Sequence, residues 1–266
     1  MSVSAPAATQ DADSRMPRRV RHEGVRRRTL WVKRADKIGA HMVRVTLGGD
    51  LDGFTSLGFD DHVKLFFPDG TSNAEGAPNM LGRDFTPRRY DAVAQTLDID
   101  FAIHDAGPAT RWAAQAKLGD TLTLGGPRGS FIIPATFDWH LLIGDETALP
   151  AIGRRLAELP AGTRAVVIVE VDGPADEIAL PTEANATIVW AHRGGAEPGA
   201  SEALAQALAK LKPPAGDYYA WVACESLAAK ALRRQLIANC GANPKWTRAA
   251  GYWRRGAAAV HEMHDD

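Results

Sequence analysis

The segment Arg83-Asp84-Phe85-Thr86-Pro87-Arg88 places cations, an aromatic ring and a hydroxyl close together on a predicted strand. A bound flavin needs a flat apolar surface against its ring, a hydrogen bond near its N5 atom and cations on its phosphates. A strand that carries Arg, an aromatic residue and Thr can supply all three, because side chains two residues apart share a face. Such residues also occur on ordinary edge strands, so the segment alone leaves both interpretations open.

A second segment runs from the end of a predicted strand at His104, through Gly107-Pro108, into a helix. The first N–H groups of a helix have no partner within it and can bind a pyrophosphate. Thr110 adds a hydroxyl at this point. Simple helix capping, with His104 in a loop and Trp112 in the core, explains the pattern equally well.

A third segment, Gly144-Asp145-Glu146-Thr147, follows an apolar strand and opens another helix. Strand, turn and helix are the correct context for a dinucleotide site, but the glycine pattern of the Rossmann fingerprint is absent. Carboxylates at a helix start complement the helix dipole and oppose a pyrophosphate resting there. The segment therefore argues against a standard Rossmann NAD site.

Three later groups carry charge or rings. Arg193 follows a predicted strand and could pair with the 2′-phosphate of NADPH or lie in solvent. Gly251-Tyr252-Trp253-Arg254-Arg255-Gly256 could stack on a ring and hold charge, or form a final strand that packs on the core. Gly125-Gly126-Pro127-Arg128-Gly129-Ser130 offers a cation within a turn. Cys224 has no basic partner placed by the sequence and is interpreted as a small buried residue.

Two hydrophobic patterns must position these residues. A period of two runs to about Pro134 and predicts a small antiparallel β-barrel, interrupted by one helix over 108–117. Beyond it, continuous apolar runs at 140–143, 165–171, 186–191 and 219–223 alternate with predicted helices at 147–158, 201–211 and 226–239. That alternation indicates a parallel sheet covered on both faces. We expect a disordered arm over 1–17, a barrel domain over 18–136 and an α/β domain over 137–266.

Composition limits the function further. The 266-residue chain has a formal net charge of −1, although residues 15–37 hold ten Lys or Arg against Glu23 and Asp36. No recognition motif follows this basic stretch, so a solvated arm or edge strand is preferred to nucleic-acid binding. The two cysteines make no disulfide framework, and no apolar run is long enough to span a membrane. We expect a cytoplasmic protein without a metal-ligand set.

Together, and in this order, these segments resemble the siderophore-interacting proteins, a family of FAD-containing ferric-siderophore reductases of ferredoxin-reductase-like fold. The resemblance extends from about Arg21 to Gly256. The matching pieces are Asp61–Pro68, Arg83–Arg88, His104 with Gly107–Trp112, Gly144–Pro150 and Gly251–Gly256.

The resemblance implies that the barrel holds FAD. The family's flavin motif falls on Arg83, Phe85 and Thr86, where Phe85 stands in place of the usual tyrosine and so lacks its hydroxyl. The pyrophosphate segment falls on His104, Ala109 and Thr110.

The resemblance also implies that the second domain brings NADPH or NADH. Thr147 would lie near the nicotinamide and Arg193 near a 2′-phosphate. Tyr252 and Trp253 are counted with the cofactor-binding residues because their rings could stack on a cofactor ring. An anionic ferric siderophore would be the small-molecule substrate. Its predicted contacts are Lys64, Arg128, Arg248, Arg254 and Arg255.

The expected activity is electron transfer from NAD(P)H through FAD to a ferric siderophore, with no catalytic side chain. Reduction releases iron because siderophores bind Fe(III) far more tightly than Fe(II). Two alternatives remain: an NAD(P)H:flavin reductase or diaphorase, and a non-enzymatic siderophore- or flavin-binding protein. The sequence does not fix the oligomeric state, and a monomer is favoured.

Overall fold

The computed structural model describes residues 15–103, 107–256 and 262–264. The predicted role of His104 and the predicted disorder of 1–14 lie outside these residues. The first half of the chain forms nine strands and one helix. They are β1 (Arg18–Arg21), β2 (Arg27–Lys37), β3 (Met42–Gly48), β4 (Val63–Ser72), β5 (Pro78–Phe85), β6 (Pro87–Asp91), β7 (Thr96–Ala102), α1 (Pro108–Gln115), β8 (Thr121–Gly125) and β9 (Gly129–Ile132).

Seven of these strands form one antiparallel sheet in the order β5-β4-β8-β2-β3-β7-β6. The two edge strands, β5 and β6, are consecutive in the chain and meet at Thr86, so the sheet curls round on itself as a half-barrel. Alternate residues such as Leu65, Phe67 and Ile99 fill its interior. The predicted barrel-type fold is confirmed, and its edge join falls within the segment that carries the flavin pattern.

The second half of the chain forms a six-stranded sheet with three helices. Its elements are β10 (Trp139–Gly144), α2 (Leu149–Glu158), β11 (Arg164–Val171), β12 (Asn185–His192), α3 (Ala203–Lys210), β13 (Tyr218–Glu225), α4 (Ser226–Asn239), β14 (Thr247–Trp253) and β15 (Glu262–Met263). Short 3-10 turns occupy Glu146–Ala148, Pro174–Asp176 and Pro244–Trp246.

This sheet has the order β12-β11-β10-β13-β14-β15, parallel except for β15. Leu142 contributes to the core on one face, while Leu141 and Ile143 contribute to the core on the other. Burial on both faces explains the continuous apolar runs and confirms the predicted α/β fold. The strand order reverses between β10 and β13, and ligands of such sheets bind outside the carboxyl ends at that point.

The two domains are joined by buried polar contacts. Arg154 of α2 donates to the Ser56 hydroxyl at 2.8 Å and to the Pro87 carbonyl at 3.0 Å, both in the barrel domain. The Tyr252 hydroxyl of β14 donates to Asp60 Oδ1 at 2.6 Å. These contacts fix the carboxyl edge of the parallel sheet against the barrel.

A cleft of about 330 Å³ also lies between the domains. One of its lining residues, Asp100, departs from the predicted alternation of buried and exposed residues. The period of two places Asp100 between the apolar Ile99 and Phe101 and so predicts a solvent-facing side chain, yet Asp100 is 4 % exposed and accepts from Arg44 Nε at 2.6 Å and Nη2 at 2.7 Å. The prediction is wrong there because the α/β domain covers that face of β7. The cleft is lined by Ile38, Arg44, Arg88, Asp100, Leu149 and Leu180.

Element ends differ slightly from the predictions. The helix α1 ends at Gln115 rather than at 117, and the helix predicted from 147 begins as a 3-10 turn before α2. Residues 15–17, predicted within the disordered arm, are described, and Arg15 Nη1 lies 2.7 Å from Asp217 Oδ2. Within the described residues, every helix is too short or too polar to cross a membrane.

Candidate functional site

The structure brings the first two sequence segments together. The Phe85 ring packs against Phe101 at 4.6 Å and Phe67 at 6.0 Å between centroids, and Trp112 of α1 packs on the same two rings. Ala109 joins this cluster. Phe85 remains partly exposed, so the cluster presents an aromatic surface at the edge of the barrel.

The charged and hydroxyl members of the first segment take different positions. Arg83 is partly buried, and among the described residues its side chain donates only to the carbonyl of Gly82, at 3.0 Å. Its guanidinium has no carboxylate partner in that part of the chain. Thr86 is 7 % exposed and hydrogen-bonds Tyr252 across the domain junction.

The start of α1 is open to an anion. Its N-cap, Gly107, offers no side-chain hydrogen bond, Pro108 occupies the first turn, and that turn contains no acidic residue. Among the described residues nothing accepts from the N–H groups of Ala109 and Thr110. A helix start and an arginine that both lack an anionic partner among the described residues, together with an aromatic surface, fit the pyrophosphate and ring of a flavin dinucleotide.

The corresponding helix start after β10 is closed. Asp145 Oδ1 accepts from the Thr147 N–H at 3.0 Å and from its hydroxyl at 2.5 Å, and Oδ2 accepts from Trp253 Nε1 at 2.7 Å. Both carboxylate oxygens therefore hold protein donors. This agrees with the argument against a standard Rossmann site.

The helix start after β13 is closed in the same way. Glu225 Oε2 accepts from the N–H groups of Leu227 at 2.7 Å and Ala228 at 3.0 Å, and Oε1 accepts from Arg255 N–H at 3.4 Å. A pyrophosphate cannot rest on either helix at the reversal point without displacing a carboxylate. A nicotinamide dinucleotide would have to cross this edge using side chains instead.

Arg193, at the end of β12, is one such side chain, and it has protein partners. Its guanidinium contacts Glu146, and its Nε lies 3.5 Å from Asp172 Oδ1. Burial, and then the neighbouring Asp145 carboxylate, raise the pKa of Glu146 to about 7, against the opposing effect of Arg193. The Glu146 carboxyl therefore carries only part of its negative charge near neutral pH.

The five predicted substrate cations are not equivalent. Lys64 Nζ lies 2.8 Å from Asp84, Arg248 Nε lies 3.0 Å from the buried Asp60, and Arg254 Nη1 lies 3.2 Å from Glu262. The side chains of Arg128 and Arg255 are exposed, with no ionic partner among the described residues.

Comparison with known proteins identifies the family. Residues 31–131 match the siderophore-interacting FAD-binding domain, and residues 137–256 match the siderophore-interacting protein domain. The NADPH-dependent ferric-chelate reductase of Escherichia coli is 40% identical over 256 residues, which cover 90% of this chain and 97% of the relative. The chain belongs to the siderophore-interacting protein family.

Two further proteins, and one more distant structure, are similar to this chain. The ferric vibriobactin reductase of Vibrio cholerae is 33% identical over 90% of this chain and 94% of its own length. A siderophore utilization protein from T. fusca superimposes with a TM-score of 0.83 at 39% identity, covering 91% of this chain and 98% of that one. A ferredoxin NADP+ reductase from Neisseria gonorrhoeae, solved with bound FAD and NADP, shares only the fold (TM-score 0.56, 14% identity, 79% and 90% coverage).

Sequence reasoning missed three residues that shape the site of this siderophore-interacting protein. Asp60 anchors both Tyr252 and Arg248, and Arg154 ties α2 to the barrel. Each contact joins residues about 100 or more positions apart, so no local spacing could reveal it. The helix cap at Glu225 did carry a signal, because an acidic residue directly precedes the predicted helix start at Ser226.

Proposed function

We propose that this protein is an NAD(P)H-dependent ferric-siderophore reductase that uses FAD as its resident cofactor. The observation that carries the proposal is the contrast between helix starts. Among the described residues no carboxylate caps the α1 start, which belongs to the same helix as Trp112 of the aromatic cluster at Phe85, whereas the starts at Asp145 and Glu225 are already capped. Within the part of the chain that the structure describes, this contrast favours the barrel side as the site for a dinucleotide pyrophosphate.

FAD would be held by the two barrel segments. Arg83 would pair with its phosphates, Phe85 would support its ring, and Thr86 would lie near N5. The N–H groups and hydroxyl of Ala109 and Thr110, with His104, would hold the pyrophosphate. When bound, FAD supplies the chemistry that accepts a hydride and passes on single electrons.

NAD(P)H would lie across the carboxyl edge of the parallel sheet. Thr147 would border the nicotinamide, Tyr252 and Trp253 would support a ring, and Arg193 would contact the 2′-phosphate of NADPH. Arg193 is already oriented by Glu146 and Asp172, which lowers the cost of ordering it on binding.

The ferric siderophore would be attracted by Lys64, Arg128, Arg254 and Arg255, while Arg248 would act through its fixed position beside Asp60. Single-electron reduction of Fe(III) to Fe(II) loosens the chelate and releases the metal. A cytoplasmic location is proposed, and both cysteines, Cys224 and Cys240, are free thiols as a reducing compartment requires.

The test is an Fe(II)-trapping assay. Protein reconstituted with FAD is mixed with NADPH, a ferric siderophore and a chromogenic Fe(II) chelator. The proposal requires Fe(II) to appear with protein and NADPH together and not with either alone. A faster reaction with free flavin as the acceptor would favour the diaphorase alternative, and absence of NADPH oxidation would favour a binding protein.

A further inference from the structure

The arginine-rich stretch near the N-terminus contains a strand, β1, that pairs with β9. Strand β1 pairs with β9 in antiparallel register, with Arg19 opposite Phe131 and Arg21 opposite Gly129. A Cβ atom on Gly129 would lie 2.5 Å from the Val20 carbonyl, so glycine at this position allows the close approach of the strands. Residues Arg18–Arg21 therefore form a paired strand held close to β9.

Contacts on both sides hold β1 in place. Before the strand, Arg15 pairs with Asp217 at 2.7 Å and approaches Asp138 at 3.6 Å, which ties it to the α/β domain. After the strand, the His22 ring lies 3.3 Å from the Pro127 carbonyl and 3.0 Å from the Ser130 hydroxyl. The guanidinium groups between these anchors are therefore presented from a fixed backbone.

The charge on β1 is not neutralised locally. Arg18, Arg19 and Arg21 are exposed, and none has a carboxylate within ion-pair distance among the described residues. The partner strand begins directly after Arg128, which is also exposed and without an ionic partner in the same part of the chain. Four cations thus lie on or directly beside one two-stranded ribbon, and in the part of the chain that the structure describes none of them has a carboxylate partner.

A short series of contacts links this ribbon to the proposed reaction site. The Phe131 ring has the Arg19 guanidinium 5.7 Å from its centroid and that of Arg248 4.2 Å away. Arg248 pairs with Asp60, which also accepts from Tyr252. The β1 cations therefore border the same domain junction at which substrate would approach the flavin.

We propose that Arg19 and Arg21 of β1 form the outer rim of the substrate entrance and select polyanionic ferric chelates over neutral or cationic ones. This inference rests on the proposed function and adds the recognition element. Exposed cations act over about 8–10 Å at moderate ionic strength, and a patch of one sign accelerates the encounter with anions. The rim contributes to the first binding of the chelate, whereas electron transfer takes place at the proposed flavin site.

The test compares two double variants of equal charge. R19Q/R21Q removes the rim cations, and R34Q/R89Q removes two exposed arginines on β2 and β6, away from β1. Each FAD-loaded protein is assayed with NADPH against anionic ferric citrate and against the cationic ferric complex of desferrioxamine B.

For R19Q/R21Q we expect KM for ferric citrate to rise on the order of five-fold at low salt, and the effect to shrink in 0.5 M NaCl. KM for the cationic chelate should fall rather than rise, because the rim no longer repels it, while the kcat values stay unchanged and R34Q/R89Q behaves like the parent. Equal KM changes for both chelates, or none for ferric citrate, would overturn the inference.

Quenching of tryptophan fluorescence by ferric citrate gives a second readout that needs no turnover. A protein that reduces no chelate contradicts the proposed function. The rim assignment is tested separately by this binding measurement. It requires R19Q/R21Q to weaken ferric citrate binding by about the factor expected for KM, and R34Q/R89Q to leave binding unchanged.

Discussion

The guanidinium of Arg193 contacts the carboxylate of Glu146, so the cation proposed for the 2′-phosphate of NADPH is held by an acid from the β10 edge. Glu146 titrates near neutral pH, because burial and Asp145 raise its pKa to about 7. The Glu146 carboxyl loses its proton as the pH rises through 7. It therefore competes with the phosphate for the Arg193 guanidinium more strongly at higher pH.

Arg193→Ala should therefore raise KM for NADPH about ten-fold, the loss expected for one charge-assisted contact, and leave KM for NADH nearly unchanged. Glu146→Gln should have the opposite effect on KM for NADPH, since it removes the competing charge. Steady-state kinetics with both nucleotides at pH 6.5 and 8 provide the measurement. A parallel loss for NADPH and NADH in Arg193→Ala would show that the pair is only structural.

The open start of α1 predicts a position-specific effect on FAD. Thr110→Glu places a carboxylate at the N–H groups that have no acceptor among the described residues, and it should weaken FAD binding at least about ten-fold, because it repels the pyrophosphate. Gln115→Glu adds the same charge at the other end of α1 and should change FAD affinity little. Equilibrium titration of apoprotein with FAD, followed by flavin fluorescence, tests this, and equal effects of the two variants would count against the pyrophosphate site.

Lys64 and Arg128 are both predicted to contact the substrate, but only Lys64 has an ion-pair partner among the described residues. Lys64→Ala and Arg128→Ala should each raise KM for an anionic ferric siderophore without slowing flavin reduction by NADPH. Asp84→Asn should lower that KM, because it frees the Lys64 ammonium from its 2.8 Å ion pair. Unchanged KM values in both alanine variants would remove these residues from the substrate site.

Folding stability should depend on pH through His140. Burial, and then the nearby Arg155 cation, lower its pKa to about 3, and its side chain lies fully inside the β10 sheet. The unfolded chain takes up a proton near pH 6.5 and the folded chain does not. The contribution of His140 is therefore present above pH 6.5 and is lost as the pH falls towards 3, by at most about 1.4 kcal/mol per unit.

Chemical denaturation of the parent and His140→Leu at pH 7.5 and 5.5 isolates this effect. The unfolding free energy of the variant minus that of the parent should be larger at pH 5.5 than at pH 7.5. A constant difference would mean that His140 has the same pKa in the folded and unfolded chains.

Most of the architecture could be predicted from local pattern. The helix α4 has the predicted bounds, because the acid at Glu225 caps its start and the apolar spacing continues to Asn239. The switch from alternating to continuous apolar runs correctly separated the curled antiparallel sheet from the parallel one. Local patterns succeed here because the spacing of apolar residues in each strand shows whether one or both of its faces are buried.

The charge pairs of the site could not be predicted in this way. The sequence showed Lys64, Arg193, Arg248 and Arg254 as cations and gave no sign of the carboxylates that accompany them. Glu146 lies 47 positions from Arg193, and Asp60 lies 188 positions from Arg248. Such pairs depend on how the strands are ordered and on how the two domains meet.

The central claim is that electrons pass from NADPH through FAD bound at the barrel edge to a ferric siderophore. It is tested most directly by anaerobic absorbance of the FAD-loaded protein in two steps. NADPH should bleach the flavin band near 450 nm, and an added ferric siderophore should restore it while an Fe(II) chelator develops colour. A protein that cannot be loaded with FAD, or a reduced flavin that the ferric siderophore does not reoxidise, would contradict the account.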